Sequence, residues 1–131
     1  MSPQSSGAAA VLTTRTEAHD GVDVVIVAGE IDRMADGSPV LAAVDALRER
    51  PSAGLVLDLG AVTFFGSAGI NLLVAVVRRL RSANVPLAIV AESRVVLRPL
   101  AISGVDALLT VRPDLRGALA ALRSVPPQRR R

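Results

Sequence analysis

The most informative run of this chain reads Val62-Thr63-Phe64-Phe65-Gly66-Ser67-Ala68-Gly69-Ile70. An apolar strand is predicted to end here, and a serine stands between two glycines where a long apolar helix begins. The glycines leave room around Ser67, so its hydroxyl could face solvent at the helix N-terminus. That end of a helix carries free backbone N–H groups and partial positive charge, which suit a phosphate. Ser67 is therefore either the N-cap residue of the helix or a modification site.

On both sides of this run, strand patterns alternate with helix patterns. The predicted elements are strands at 11–16, 22–28, 54–59 continuing to 62–65, 87–90 and 107–111, and helices at 39–50, 67–82, 92–102 and 113–122. Asp20-Gly21 indicates a hairpin turn, and Ser38 is expected to cap the first helix. Phe64 and Phe65 are expected to differ in burial, because strand neighbours point to opposite sides. The alternation predicts an α/β fold with a mixed, mostly parallel sheet of about five strands and about four helices.

The composition is that of one globular domain. The chain has 131 residues, of which 50% are hydrophobic and 21% charged, so it can bury a core but is too short for two ordinary domains. We expect a domain over residues 11–124, with a flexible segment at 1–10 and a disordered Pro/Arg tail at 125–131. The sequence contains no cysteine, which excludes disulfides and thiolate chemistry. Its N-terminus does not resemble a secretory signal, and no apolar run approaches the length of a membrane span.

The basic charge does not favour a nucleic-acid partner. Arg129, Arg130 and Arg131 account for the whole formal net charge of +3, and the rest of the chain carries equal numbers of basic and acidic residues. The chain has no Tyr or Trp and only two Phe, so it lacks the aromatic platforms on which bases stack. The single histidine, His19, is interpreted as a solvated turn residue, since a metal site needs several convergent ligands.

The sequence also argues against an enzyme. Ser67 has no evident base, and Gly66-Ser67-Ala68-Gly69 does not match the G-x-S-x-G turn of hydrolases. A chain without lysine has no P-loop for nucleotide hydrolysis. Four acidic residues could be argued into a divalent-metal cluster but are interpreted as a solvated face: Glu30, Asp32, Asp36 and Asp58. We therefore expect no catalytic residue, no metal and no cofactor.

The order of the segments resembles the STAS domain of bacterial anti-sigma factor antagonists. The resemblance spans about residues 13–122. It rests on four segments in the expected order, which are Gly29-Glu30-Ile31-Asp32 at a strand end, the strand from Leu55 to Phe65, the serine turn Gly66-Ser67-Ala68-Gly69-Ile70, and Leu97-Arg98-Pro99-Leu100-Ala101-Ile102-Ser103-Gly104-Val105 with the short strand and helix after it. Each segment alone is a loose match, and their order and spacing together are specific.

The resemblance implies a cytoplasmic regulator without enzymatic activity. Such proteins bind an anti-sigma factor of the serine-kinase type and so free a sigma factor. The kinase phosphorylates a serine at the position of Ser67, and a serine phosphatase reverses the change. Because the carboxyl ends of parallel strands gather at one edge of a sheet, one partner is expected to contact Gly29, Glu30, Asp32, Gly66, Ser67, Ala68, Gly69, Ile70 and Asn71.

The chain departs from the family pattern at two places. The family turn commonly reads Asp-Ser-Ser-Gly or Asp-Ser-Thr-Gly, whereas here Gly66 replaces the aspartate and Ala68 the second hydroxyl. Ala35 stands where the family often has a threonine. The alternative interpretation is a STAS subunit that braces the ATPase of a lipid-transport complex and is not phosphorylated, because the serine is often kept there too.

Overall fold

The structure is a computed structural model that describes residues 12–31, 37–48 and 52–124. Within these ranges the strands are β1 Thr13–His19, β2 Val22–Ile31, β3 Gly54–Phe65, β4 Leu87–Val90 and β5 Val111–Arg112. The helices are α1 Ser38–Arg48, α2 Ser67–Ser82, α3 Arg94–Ser103 and α4 Leu115–Ser124, with a short 3-10 helix at Val105–Leu108. The predicted α/β class is confirmed.

The five strands form one mixed sheet in the order β1-β2-β3-β4-β5. β1 and β2 are antiparallel, and the remaining neighbours are parallel. The predicted hairpin turn is present, with positive φ at both Asp20 (53°) and Gly21 (84°), as tight two-residue hairpins require. Because β2, β3 and β4 run parallel, their carboxyl ends lie at the same edge of the sheet.

Helices cover the two faces of the sheet unequally. One face packs against α1, α2 and α3, with Val25, Leu57, Val44, Val76 and Leu100 in a single buried cluster. The other face packs against α4 through the buried residues Val22, Val24, Val56, Val90, Ala88, Ala118 and Leu122. A strand buried on both faces needs a continuous apolar run, which explains the Leu-Val-Leu sequence near the start of β3.

Two predicted elements differ from the structure. Residues 107–110 of the predicted strand 107–111 do not form a strand, because Gly104, with φ of 81°, ends α3 and the chain then continues as the 3-10 helix. Only Val111 and Arg112 pair with β4, beside Ile89 and Val90. The first helix also begins earlier than predicted.

The start of α1 shows why. The Gly37 carbonyl accepts hydrogen bonds from the N–H groups of Val40 and Leu41, so Ser38 is the first helical residue rather than the cap. The predicted flexible segment at 1–10 and the tail at 125–131 lie outside the described residues, and the domain bounds 11–124 stay a prediction. No helix in the described ranges has both the length and the apolar character needed to cross a bilayer.

Candidate functional site

The candidate site lies where β2 and β3 end together. β3 pairs with β4 only over residues 55–58, but it continues beside β2 to Phe65, which is opposite Ile31. The pairing with β2 shifts register twice, between Ile26 and Ala28 and between Gly29 and Glu30. Such β-bulges re-aim side chains.

The two phenylalanines point to opposite faces of β3. Phe65 is 3% exposed and belongs to the core, whereas Phe64 is 48% exposed, so the expected difference in burial is confirmed. Gly29 lies at the second register shift with φ of 112°, a conformation that side chains rarely adopt. Its observed role is therefore to shape the backbone that carries Glu30.

The serine turn is joined directly to the end of β2. The Gly66 N–H donates to the Ile31 carbonyl at 3.3 Å. Gly66 is the N-cap residue of α2, in extended conformation and without a side-chain cap. Its carbonyl accepts from the N–H groups of Gly69 at 2.9 Å and Ile70 at 3.2 Å. The interpretation of Ser67 as the N-cap residue is thus wrong, because Ser67 is the first residue inside the helix.

The Ser67 side chain lies at the surface. It is exposed, and its hydroxyl makes no hydrogen bond to any residue that the structure describes. The first turn of α2 contains no acidic residue, and Arg79 and Arg81 lie in the last turn. The positive end of the helix dipole is therefore not neutralised by a carboxylate of its own first turn, and negative charge added at Ser67 would be stabilised there.

Gly69 makes room for the core beneath the turn. A Cβ atom at this position would lie 2.6 Å from two ring carbons of Phe65, closer than real Cβ contacts. Because Phe65 is buried and packed, its ring has little space to move away. The second glycine of the turn lets the first turn of α2 approach β3 closely.

The remaining predicted contact residues surround the turn with different exposure. Asn71 is exposed, Ala68 and Glu30 are half-buried, and Ile70 is half-buried and packs against the core. Asp32 lies outside the described residues. The structure thus places Gly29 and Glu30 on β2 opposite Val62 and Phe64, just before the serine turn, while their role in binding a partner stays a prediction. The sequence analysis did not include Phe64 among the contact residues, and only its aromatic character three residues before Ser67 could have drawn attention to it.

Acidic groups elsewhere have local roles. His19 Nε2 lies 3.0 Å from Glu17 Oε1. This hydrogen bond lowers the pKa of the Glu17 carboxyl below its usual value, helped by the charge of Arg15. Asp58 Oδ1 accepts a hydrogen bond from the Gly60 N–H at 2.9 Å. Among the described residues, no three His, Cys, Asp or Glu side chains are grouped so that they could hold a metal ion.

Comparison with known proteins identifies the family. The family model described as "Mlab, STAS domain" matches residues 14–111. The anti-sigma-F factor antagonist RsfB of Mycobacterium tuberculosis is 32% identical over 112 residues, covering 86% of this chain and 90% of the relative. The chain belongs to the STAS-domain family, as the resemblance in its sequence predicts.

Solved structures agree with this assignment. The crystal structure of an anti-sigma factor antagonist from Mycobacterium paratuberculosis has a TM-score of 0.76 and 38% identity, covering 86% of this chain and 95% of that one. The Bacillus cell fate determinant SpoIIAA in its phosphorylated form has a TM-score of 0.63, covering 85% of this chain and 100% of its own. At 16% identity, that second likeness concerns the fold alone.

Proposed function

We propose that this protein is an anti-sigma factor antagonist, which binds an anti-sigma factor of the serine-kinase type in the cytoplasm and so releases a sigma factor. Two relatives, at 32% and 38% identity, are an anti-sigma-F factor antagonist and an anti-sigma factor antagonist. The observation that carries the proposal is Ser67, an exposed hydroxyl without a hydrogen-bond partner among the described residues, at the first position of a helix. No structural task within the described fold requires a serine there.

The switch is phosphorylation of Ser67. The kinase transfers a phosphoryl group from ATP to the Ser67 hydroxyl oxygen, which loses its proton, and a serine phosphatase removes the group by hydrolysis. The phosphate adds about −1.5 to −2 charge. The N-terminus of α2 stabilises this charge in the free protein, whereas a closely packed partner surface would have to desolvate it. Phosphorylation therefore favours the dissociated state.

The partner surface combines the ends of two strands with the start of α2. It comprises Gly29, Glu30, Asp32, Gly66, Ser67, Ala68, Gly69, Ile70 and Asn71. Gly66 takes the place of the aspartate common in the family turn, so no carboxylate of the turn itself lies next to the phosphate acceptor. This favours a kinase that recognises the turn by its shape rather than through an acidic neighbour.

The test begins with capture of the partner from native lysate, followed by mass spectrometry of the partner and of Ser67. The purified partner is then titrated calorimetrically with the wild-type protein and with Ser67→Ala and Ser67→Glu. Ser67→Ala should bind as wild type and resist phosphorylation. Ser67→Glu should bind about 5- to 150-fold more weakly, equivalent to about 1–3 kcal/mol for an unpaired charge in the interface.

A matched control is available on the same helix. Ser82 is exposed at the opposite end of α2, so Ser82→Glu adds the same charge away from the turn and should bind as wild type. Equal affinities for wild type, Ser67→Glu and Asp32→Ala would contradict the proposed surface. If the captured partner is a transporter ATPase instead of an anti-sigma factor, the proposed function is wrong.

A further inference from the structure

Phe64 and Glu30 lie side by side on the face of the sheet opposite α1, α2 and α3. They are opposite each other in the β2–β3 register, next to the buried pair Ile31 and Phe65. Because strand neighbours alternate in direction, the side chains of Phe64 and Glu30 share the face that points away from α2. Neighbouring strands lie about 5 Å apart, so the carboxylate and the ring are within reach of one group.

Neither side chain has an ionic partner in the described part of the molecule. Glu30 forms no ion pair with any described residue. Arg15, on the adjacent strand β1, lies 3.3 Å from Glu17 in an exposed pair. The Phe64 ring is about half exposed. The chain has two phenylalanines and no tyrosine or tryptophan. A free carboxylate beside a free ring is thus presented next to Ser67.

The lack of a side chain at Gly66 leaves space for the ring of Phe64. A Cβ atom at residue 66 would lie 3.3 Å from Cε2 and 3.5 Å from Cζ of Phe64, which is tighter than ordinary packing. The ring therefore lies against the backbone of the serine turn, and a larger side chain at position 66 would press on it. The departure from the family turn at Gly66 and the placement of Phe64 belong together.

We propose that Phe64 and Glu30 together bind an arginine side chain of the anti-sigma factor. This inference rests on the proposed function and names the chemical group that the partner presents. A guanidinium stacks on an aromatic face and at the same time forms two parallel hydrogen bonds to a carboxylate. Lysine offers only a point charge and fits the pair less well. The pair fixes the partner's register on the serine turn and helps to select the cognate anti-sigma factor.

The experiment titrates the purified anti-sigma factor with wild-type protein, Phe64→Leu, Glu30→Gln and the double variant, at low and high salt. Phe64→Leu keeps an apolar side chain but removes the ring, and should weaken binding about 5-fold. Glu30→Gln should weaken binding about 10-fold and reduce the salt dependence of the affinity. The double variant should lose less than the product of the two single losses, because both groups act on one arginine.

Two controls keep the outcomes separate. Ile102, on α3, is 76% exposed, so Ile102→Ala removes exposed apolar surface away from the proposed arginine site. This variant should bind as wild type, which would show that losing apolar surface alone does not weaken binding. Melting temperatures should be unchanged in every variant.

If wild type binds and Ser67→Glu weakens binding, but Phe64→Leu and Glu30→Gln bind as wild type, the arginine site is wrong and the proposed function stands. If the fold-loss of affinity in the double variant equals the product of the two single losses, Phe64 and Glu30 do not act on one shared group. The inference then also fails. If wild-type protein does not bind the anti-sigma factor, the proposed function itself fails.

Discussion

The two halves of β3 belong to one strand but differ in how far their side chains are buried. In the first half, residues 54–58 pair with β2 and residues 55–58 also pair with β4. Leu55, Val56 and Leu57 in this half are buried. In the second half, residues 60–65, β3 has β2 as its only neighbouring strand, and its pairing with β2 shifts register. Val62 and Phe65 are buried there, and the other four residues are exposed. Side chains of the first half pack into the buried clusters on both faces of the sheet, so they are not available to a partner. The second half has exposed side chains at Thr63 and Phe64.

The two halves of β3 contribute differently to the buried core. The first half of β3 contributes to both buried clusters. The second half contributes Val62 and Phe65 to one cluster and leaves Thr63 and Phe64 outside. Residues that face outward can change with the partner without cost to the core, whereas the inward residues hold the serine turn in place.

The largest expected effect distinguishes the two neighbouring phenylalanines. Phe65→Ala removes a buried ring and should lower the free energy of unfolding by about 3–5 kcal/mol. Phe64→Ala removes an exposed ring and should change it by about 0.5 kcal/mol or less. Chemical denaturation of both variants measures the difference. Equal losses would show that Phe64 packs into the core and would remove the distinction between the inward and outward sides of this half-strand.

A smaller effect is expected at the glycines of the serine turn. The Cβ atom of Gly69→Ala would collide with the buried Phe65 ring. Overpacking of this kind costs about 1–3 kcal/mol, partly offset by about 1 kcal/mol of helix propensity gained over glycine. We therefore expect a net loss on the order of 1 kcal/mol in denaturant melts. Gly66→Ala meets only the exposed ring of Phe64 and serves as the control, and a Gly69→Ala protein more stable than wild type would contradict the close packing.

The smallest effect concerns the arginine tail. The three terminal arginines carry the whole net charge of +3, and the proposed partner surface lies at the ends of β2 and β3. Deleting residues 126–131 should leave the melting temperature unchanged and the affinity for the anti-sigma factor within a few fold of wild type. Calorimetric titration measures this. A large loss of affinity would make the tail a docking element and would weaken the assignment of recognition to the second half of β3.

Much of the fold could be predicted because its signals are local. Asp20-Gly21 specifies a tight turn by backbone conformation, and the apolar run at Leu55 specifies a strand buried on both faces. The run near Leu108 was misassigned because an apolar sequence of this length does not reveal whether a neighbouring strand is available to pair with it. β4 offers only Ile89 and Val90 as partners, so the run begins at the end of the 3-10 helix, where Leu108 is 68% exposed, and joins the sheet only at Val111.

The candidate site was predicted in part. The sequence placed Ser67 at a helix N-terminus, but it could not decide between the N-cap position and the first helical position. These two positions are adjacent, and the choice depends on the residue at which the backbone changes from extended to helical conformation. The sequence did not place Phe64 among the proposed contact residues for a related reason. Strand alternation predicts that Phe64 and Phe65 differ in burial, but only the tertiary structure shows which of the two is exposed.

The sequence by itself determined the class of fold and the family, and it singled out Ser67 as the proposed switch residue, since these depend on the order and spacing of local patterns. Only the tertiary structure decided that Gly66 caps α2, that Ser67 is free among the described residues, and that Glu30 lies beside Phe64. Each of these depends on contacts between segments more than thirty residues apart or on the exact residue at which a strand becomes a helix. Local propensity fixes which elements form, and the pairing of β2 with β3 fixes what they present to a partner.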